Sequence, residues 1–209
     1  MIRRSACSGE VVYLGIRLRH DRRRPDQHLT RWRRSSARAA KLCEDTRVTI
    51  WTRPPELEDV LPLARMVDQA WRATYASMLP EQFWDTYPTA QRVSDLLGSI
   101  TDPAQRGLVA EADGALVGWA VRGPSRSSTV GIEPARRTEM YSLYVHAPGA
   151  GLGQRLLDEL LGTEPAELWI FEANVRAQRF YERNGFYPEG ARHIYRPASA
   201  DLPEVRFVR

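Results

Sequence analysis

Residues 168 to 186 read Leu-Trp-Ile-Phe-Glu-Ala-Asn-Val-Arg-Ala-Gln-Arg-Phe-Tyr-Glu-Arg-Asn-Gly-Phe. Leu168 to Phe171 is a short, wholly apolar run, the pattern of a buried strand. Asn174 has the side chain of a helix N-cap. The stretch Asn174 to Arg183 then reads as a short helix, with Phe180 and Tyr181 on its core face. Asn184-Gly185 closes it, because glycine adopts the left-handed conformation that ends helices.

Upstream lies a matching unit. Glu139 to Val145 reads as a strand with Met-Tyr-Ser-Leu-Tyr-Val at its heart, and Leu152 to Leu161 as a helix. Further back, Gly107 to Glu111 and Ala115 to Val121 form a hairpin across the tight-turn dipeptide Asp113-Gly114. Gly123 to Pro134 is a loop rich in Ser, Gly and Pro. Val48 to Trp51 is a first strand, stopped by Pro54-Pro55. Within Glu56 to Tyr75, Val60, Leu63, Ala64, Val67, Ala70 and Trp71 make the stripe of a helix packed on a sheet. Thr89 to Ile100 is a second helix, and further strands fall in residues 186 to 208. This order predicts an α/β chain of mixed α+β type, a mixed sheet with helices packed against it.

At 209 residues, the chain suits one domain plus an extension. Apolar residues make up 43 %, enough for a core, yet no run approaches a membrane span. The two cysteines, Cys7 and Cys43, make neither a disulfide framework nor a zinc pair, so a cytoplasmic setting is expected. Charge is uneven. Residues 1 to 47 carry 13 Lys/Arg against 5 Asp/Glu, net +8, whereas the rest is net −4. The segment 1–46 shows no sustained period and is expected to be disordered or a misassigned start, with 47–209 as the domain. Its arginines with Trp32 also leave open a nucleic-acid-binding arm.

Between strand and helix stands His146-Ala147-Pro148-Gly149-Ala150-Gly151-Leu152-Gly153. Alternate glycines let backbone approach a ligand, and the free N–H groups opening a helix favour an anion such as a pyrophosphate. A dinucleotide site fits poorly. Its third glycine position holds Gln154, and only 37 residues follow Glu172, the one acid at ribose-binding spacing. No Gly-Lys-Ser/Thr exists for a nucleotide-triphosphate loop.

Met140 to His146, the glycine turn and Gln154-Arg155-Leu156-Leu157 together resemble the acetyl-CoA motif of the GNAT superfamily of N-acetyltransferases. Residues 168–186 are similar to that family's N-x-x-A-x-x-F-Y-x-x-x-G-F block. Trp71-Arg72-Ala73-Thr74-Tyr75 with Leu79-Pro80 resembles its first-helix region. The likeness covers about residues 47 to 195. The departure is Pro148, which stands where the family has Gln or Arg, in a loop about two residues short. Proline has no N–H to offer a phosphate.

The resemblance implies a central twisted mixed β-sheet of about six to seven strands flanked by about four helices. It also implies acetyl transfer from acetyl-CoA, the acyl-donor substrate, to a primary amine by direct attack in a ternary complex. Tyr181 matches the acid that protonates the leaving thiolate. Glu139 is the candidate base, with Glu133 and Glu172 as rivals. The backbone of Leu143, Tyr144 and Val145 would bond the pantetheine, and Gly149, Ala150, Gly151, Leu152, Gly153 and Gln154 its diphosphate. Asn174 would contact cofactor or cap its helix. Trp71, Tyr75 and Trp84 could line an acceptor pocket. His146 and His193 read as structural or exposed, and no metal is expected. The acceptor would be a small molecule or a peptide, with no membrane partner, nucleic acid left to the Arg-rich arm as the lesser alternative, and a homodimer left open. A catalytically degenerate acyl-CoA-binding module is the alternative. Deleting residues 1–46 should leave folding and activity intact, as circular dichroism and thiol-release assays would show.

Overall fold

The computed structural model describes residues 49–77, 79, 81–86, 89–146, 151–196 and 201–209. The Arg-rich extension, Val48, and Pro148, Gly149 and Ala150 of the glycine turn lie outside the described residues. The elements are β1 (Ile50–Arg53), α1 (Val60–Tyr75), α2 (Glu81–Thr86), α3 (Thr89–Thr101), β2 (Arg106–Ala112), β3 (Ala115–Pro124), β4 (Thr138–Val145), α4 (Leu152–Leu161), β5 (Ala166–Phe171), α5 (Val175–Arg183), β6 (Tyr187–Tyr195) and β7 (Leu202–Val208). They build one seven-stranded sheet in the order β1-β2-β3-β4-β5-β7-β6. Among the described strands, only β4 and β5 pair in parallel.

Helices cover both faces of the sheet. On β2 and β3, Val109, Trp119 and Val121 pack under α1 and α3, while their neighbours Ala110 and Ala120 meet α4 and α5. This is strand alternation with apolar residues on both sides. The α1 stripe read from sequence is buried throughout, and Asp113-Gly114 turns the β2–β3 hairpin with φ of 50° and 76°. Gly118 on β3 lets α4 come close, since a Cβ there would stand 2.9 Å from Leu156 Cδ1. The short α2 was not foreseen.

Three features open the sheet at its centre. First, β4 carries a bulge: Val121 faces Ser142 and Arg122 faces Met140, so Tyr141 is the extra residue. A bulge bends its strand and is favoured next to active sites. Second, β4 and β5 pair only at Thr138↔Ala166 and Glu139↔Glu167. Beyond this point β4 continues along β3 and β5 along β7, but not along each other.

Third, Glu167 is fully buried at that last pairing step. Its carboxylate accepts hydrogen bonds from the Ser125 and Ser127 hydroxyls and from the N–H groups of Ala135 (2.7 Å) and Arg136 (2.8 Å). Burial works to raise its pKa, but these hydrogen bonds outweigh it and hold the group below the ordinary glutamate value. The loop between β3 and β4 is thereby tied to β5.

At the far edge, the Arg155 guanidinium reaches from α4 to the Ile50 carbonyl and the Thr52 hydroxyl of β1, each at 2.9 Å.

Replacing Glu167 by alanine should cost about 2–4 kcal/mol, because it strands several buried donors. In the parent, the contribution of Glu167 is present above the unfolded pKa of 4.5 and lost as pH falls through the lowered folded value. Thermal unfolding across pH would test both statements.

Candidate active site

Helix α5 is fixed at both ends by its own sequence. Asn174 caps it, the side-chain oxygen accepting the Ala177 N–H at 3.0 Å, while the amide nitrogen donates to the Tyr75 hydroxyl at 3.0 Å. At the other end, Gly185 has a φ of 79°. Its N–H bonds the Glu182 carbonyl, and the Phe186 N–H bonds the Tyr181 carbonyl at 3.0 Å. These two bonds define a Schellman closure. The hydrophobic contact that accompanies such a closure is Phe186 against Tyr181, ring centroids 5.6 Å apart and edge to face. The helix stop therefore also sets the position of the Tyr181 ring.

Tyr181 borders a cavity of about 700 Å³ where β4 and β5 part. Among the described residues its hydroxyl has no hydrogen-bond partner. Burial, and then proximity to Tyr144, push its pKa well above the ordinary tyrosine value. It stays protonated at any physiological pH and so keeps a proton to donate. Tyr144 follows on the same wall, its hydroxyl accepting from Trp71 Nε1 at 2.8 Å. Burial foremost raises its pKa too, and likewise that of Tyr75.

At the other end stand ionisable groups. Glu139, 2 % exposed, accepts the Arg126 N–H at 2.6 Å and the Arg126 guanidinium at 2.8 Å. Glu204 of β7 lies in the cavity wall with its side chain 14 % exposed. Burial, and next the charge of Glu139, lift its pKa to about 7. His193 Nδ1 lies 3.2 Å from Glu204 Oε2, out of line for a hydrogen bond. Burial foremost lowers the His193 pKa.

Of the residues expected from sequence, Tyr181, Glu139, Asn174, Leu143 and Tyr144 line this one cavity, as do Trp71 and Tyr75. Val145 is buried in the core beside them. Gly151, with φ of 77°, is the N-cap of α4, and Leu152 and Gly153 are buried in its first turn. The Gln154 side chain turns away, to Asp158 and Asn184. Trp84 is not in the cavity wall but packs on Phe83 and Arg72. Of the rival bases, Glu172 pairs with Arg192 at 2.7 Å, and neither it nor Glu133 lines the cavity.

His193 faces the cavity, contrary to its reading as structural or exposed, and Glu204 was not read at all. One signal for it exists. Glu204 and Arg206 alternate with apolar Val205 and Phe207, so a strand there places two charged groups on one face.

A family model for the acetyltransferase (GNAT) family matches residues 64–186. A probable N-acetyltransferase of Mycobacterium tuberculosis is 30 % identical over 105 residues, which is 47 % of this chain. The match spans 57 % of that relative's length. Among solved structures, the PaiA N-acetyltransferase of Thermoplasma acidophilum in complex with coenzyme A superposes with a TM-score of 0.53 at 18 % identity, covering 75 % of this chain and 98 % of the other. A phosphinothricin acetyltransferase of Sinorhizobium meliloti in complex with AcCoA gives 0.57 at 20 % identity, covering 77 % and 88 %. At such identities the likeness is one of fold.

Gly185→Ala should destabilise the chain by about 1 kcal/mol through its positive φ. Denaturant unfolding would measure this. Near-ultraviolet circular dichroism should report the loosened Tyr181 ring.

Proposed function

The chain belongs to the acetyltransferase (GNAT) family, and from that premise we infer that it moves an acetyl group from acetyl-CoA to a primary amine. The observation that carries the reading is the gap between β4 and β5 with the Tyr181 phenol beside it. Among the described residues, β4 past Glu139 has β3 on one side and no strand on the other. Main-chain groups left in this way need partners, and the amides of a pantetheine arm are suited to be those partners at Leu143, Tyr144 and Val145. The N-terminus of α4, with N–H groups unpaired in its first turn, suits the diphosphate at Gly149 through Gly153 and Gln154. Asn174, a cap in its own right, borders the same space.

The donor supplies an activated thioester carbonyl. The chain's own residues hold it, orient it and move protons. The Tyr181 phenol, kept protonated by burial, donates to the departing sulfur. The acceptor enters from the side of Glu139 and Arg126, where the wall is polar. Its class is a small molecule or a peptide bearing a free amine. Arg126 and Glu139, joined by three hydrogen bonds, shape that entrance. The amine must shed a proton before attack, so the wall must also carry a base.

Calorimetry with acetyl-CoA should show binding, and a panel of amines should release coenzyme A thiol. Absence of binding at millimolar acetyl-CoA would sink the reading. Binding without turnover of any amine would leave an acyl-CoA-binding module. Tyr181→Phe should lower kcat about 100-fold with acetyl-CoA affinity unchanged. Equal turnover in mutant and parent would remove Tyr181 as the acid.

A further inference from the structure

Glu204 is a half-buried carboxylate, its side chain 14 % exposed, that the foregoing mechanism leaves unused. β7 places it opposite Phe171 of β5 on one side and His193 of β6 on the other. It borders the same cavity as Tyr181 and Glu139. Among the described residues no donor is aligned on its oxygens, and His193 Nδ1 at 3.2 Å is out of line. Glu139 is in the opposite condition. Its two oxygens accept the Arg126 N–H and guanidinium at 2.6 and 2.8 Å.

A carboxylate whose two oxygens are already engaged by an arginine has less to offer an incoming amine. One buried without a cation of its own takes a proton readily. We propose that Glu204, not Glu139, is the base that receives the proton of the acceptor amine. This deepens the acetyl-transfer reading above and rests on it. Glu139 then acts on Glu204 through its charge.

The groups that face Glu204 come from every element around it. They are Glu139 and Tyr144 from β4, His193 and Tyr195 from β6, Tyr75 from α1, and Arg126 from the loop after β3. Burial raises its pKa most, Glu139 adds to the rise, and Arg126 opposes it, leaving a value of about 7. Below that pH Glu204 holds a proton and cannot act as a base; above it the carboxylate is free. A base matched to neutral pH is the most effective one. Tyr144 stands near both, raising the pKa of Tyr181 and itself raised by Glu204, and all three line the one cavity.

The proton balance closes. An N–H bond of the ammonium breaks and its proton goes to a Glu204 oxygen. The freed nitrogen pair forms the C–N bond to the thioester carbonyl carbon as the C–S bond breaks. The sulfur takes the phenolic proton of Tyr181, and the second nitrogen proton restores the phenol. Glu204 then releases its proton to solvent past His193. The products are one amide, one thiol and one proton.

The test uses the full chain labelled with 13C at the glutamate side-chain carboxyl. The resonance that disappears in Glu204→Gln should titrate near pH 7. Titration in the ordinary range near 4.5 would overturn the proposal. In thiol-release assays, the parent's kcat/KM should climb as pH rises through about 7. Glu204→Gln should lack that limb and be about 100-fold slower at pH 8, with acetyl-CoA affinity unchanged by calorimetry. Glu139→Gln should keep a limb, shifted to lower pH because a negative neighbour is gone. If the parent turns over an amine and Glu204→Gln retains the limb, the base assignment alone fails. If the parent turns over no amine, the transferase reading fails and takes the assignment with it.

Discussion

Glu167 brings a negative charge into the interior at the last step where β4 and β5 are paired. A lone buried carboxylate costs several kcal/mol. Here two hydroxyls and two main-chain N–H groups surround it and offset that cost. The donors come from both halves of the excursion between β3 and β4, so one side chain fixes the whole loop. Arg126 lies between two of those donors, Ser125 and Ser127. It is thereby delivered to Glu139, with its guanidinium 3.6 Å above the Tyr141 ring at the bulge. The loop, the bulge and the opening of the sheet form one mechanical unit.

From that unit the chemistry of the cavity follows. The parting of two strands leaves a space that is apolar where α5 covers it and charged where β6 and β7 close it. The two ends impose different protonation on their groups. Burial keeps the Tyr181 phenol as an acid, whereas the far carboxylates divide between one held by an arginine and one without such a partner. A similar residue type in two settings gives two roles.

How far this was legible depends on how local each determinant is. Helix α5 was readable because its cap Asn174 and its stop Asn184-Gly185-Phe186 are adjacent signals. α1, α4 and the Asp113-Gly114 hairpin were readable for the same reason. Tyr181 and Glu139 could be named, since they lie within or beside the recognisable blocks. What Glu139 would meet could not be, because Arg126 reaches it from a loop that has no period of its own. Glu204 and His193 were missed on similar grounds. β7 inserts between β5 and β6, and nothing in the order of residues announces that pairing. Glu167 was not read at all, standing just ahead of the apolar run Leu168 to Phe171. Only the folded loop shows how many donors converge on it.

Arg155 carries a consequence for behaviour in concentrated solution. β1 is four residues long, ends at Pro54-Pro55 and forms one border of the sheet. Such a border offers main-chain groups to any passing strand and can seed stacking of one molecule on another. The guanidinium laid on the Ile50 carbonyl occupies one of those groups and puts a positive charge there. The helix that opens at the glycine turn thus also guards the sheet against self-association through its rim.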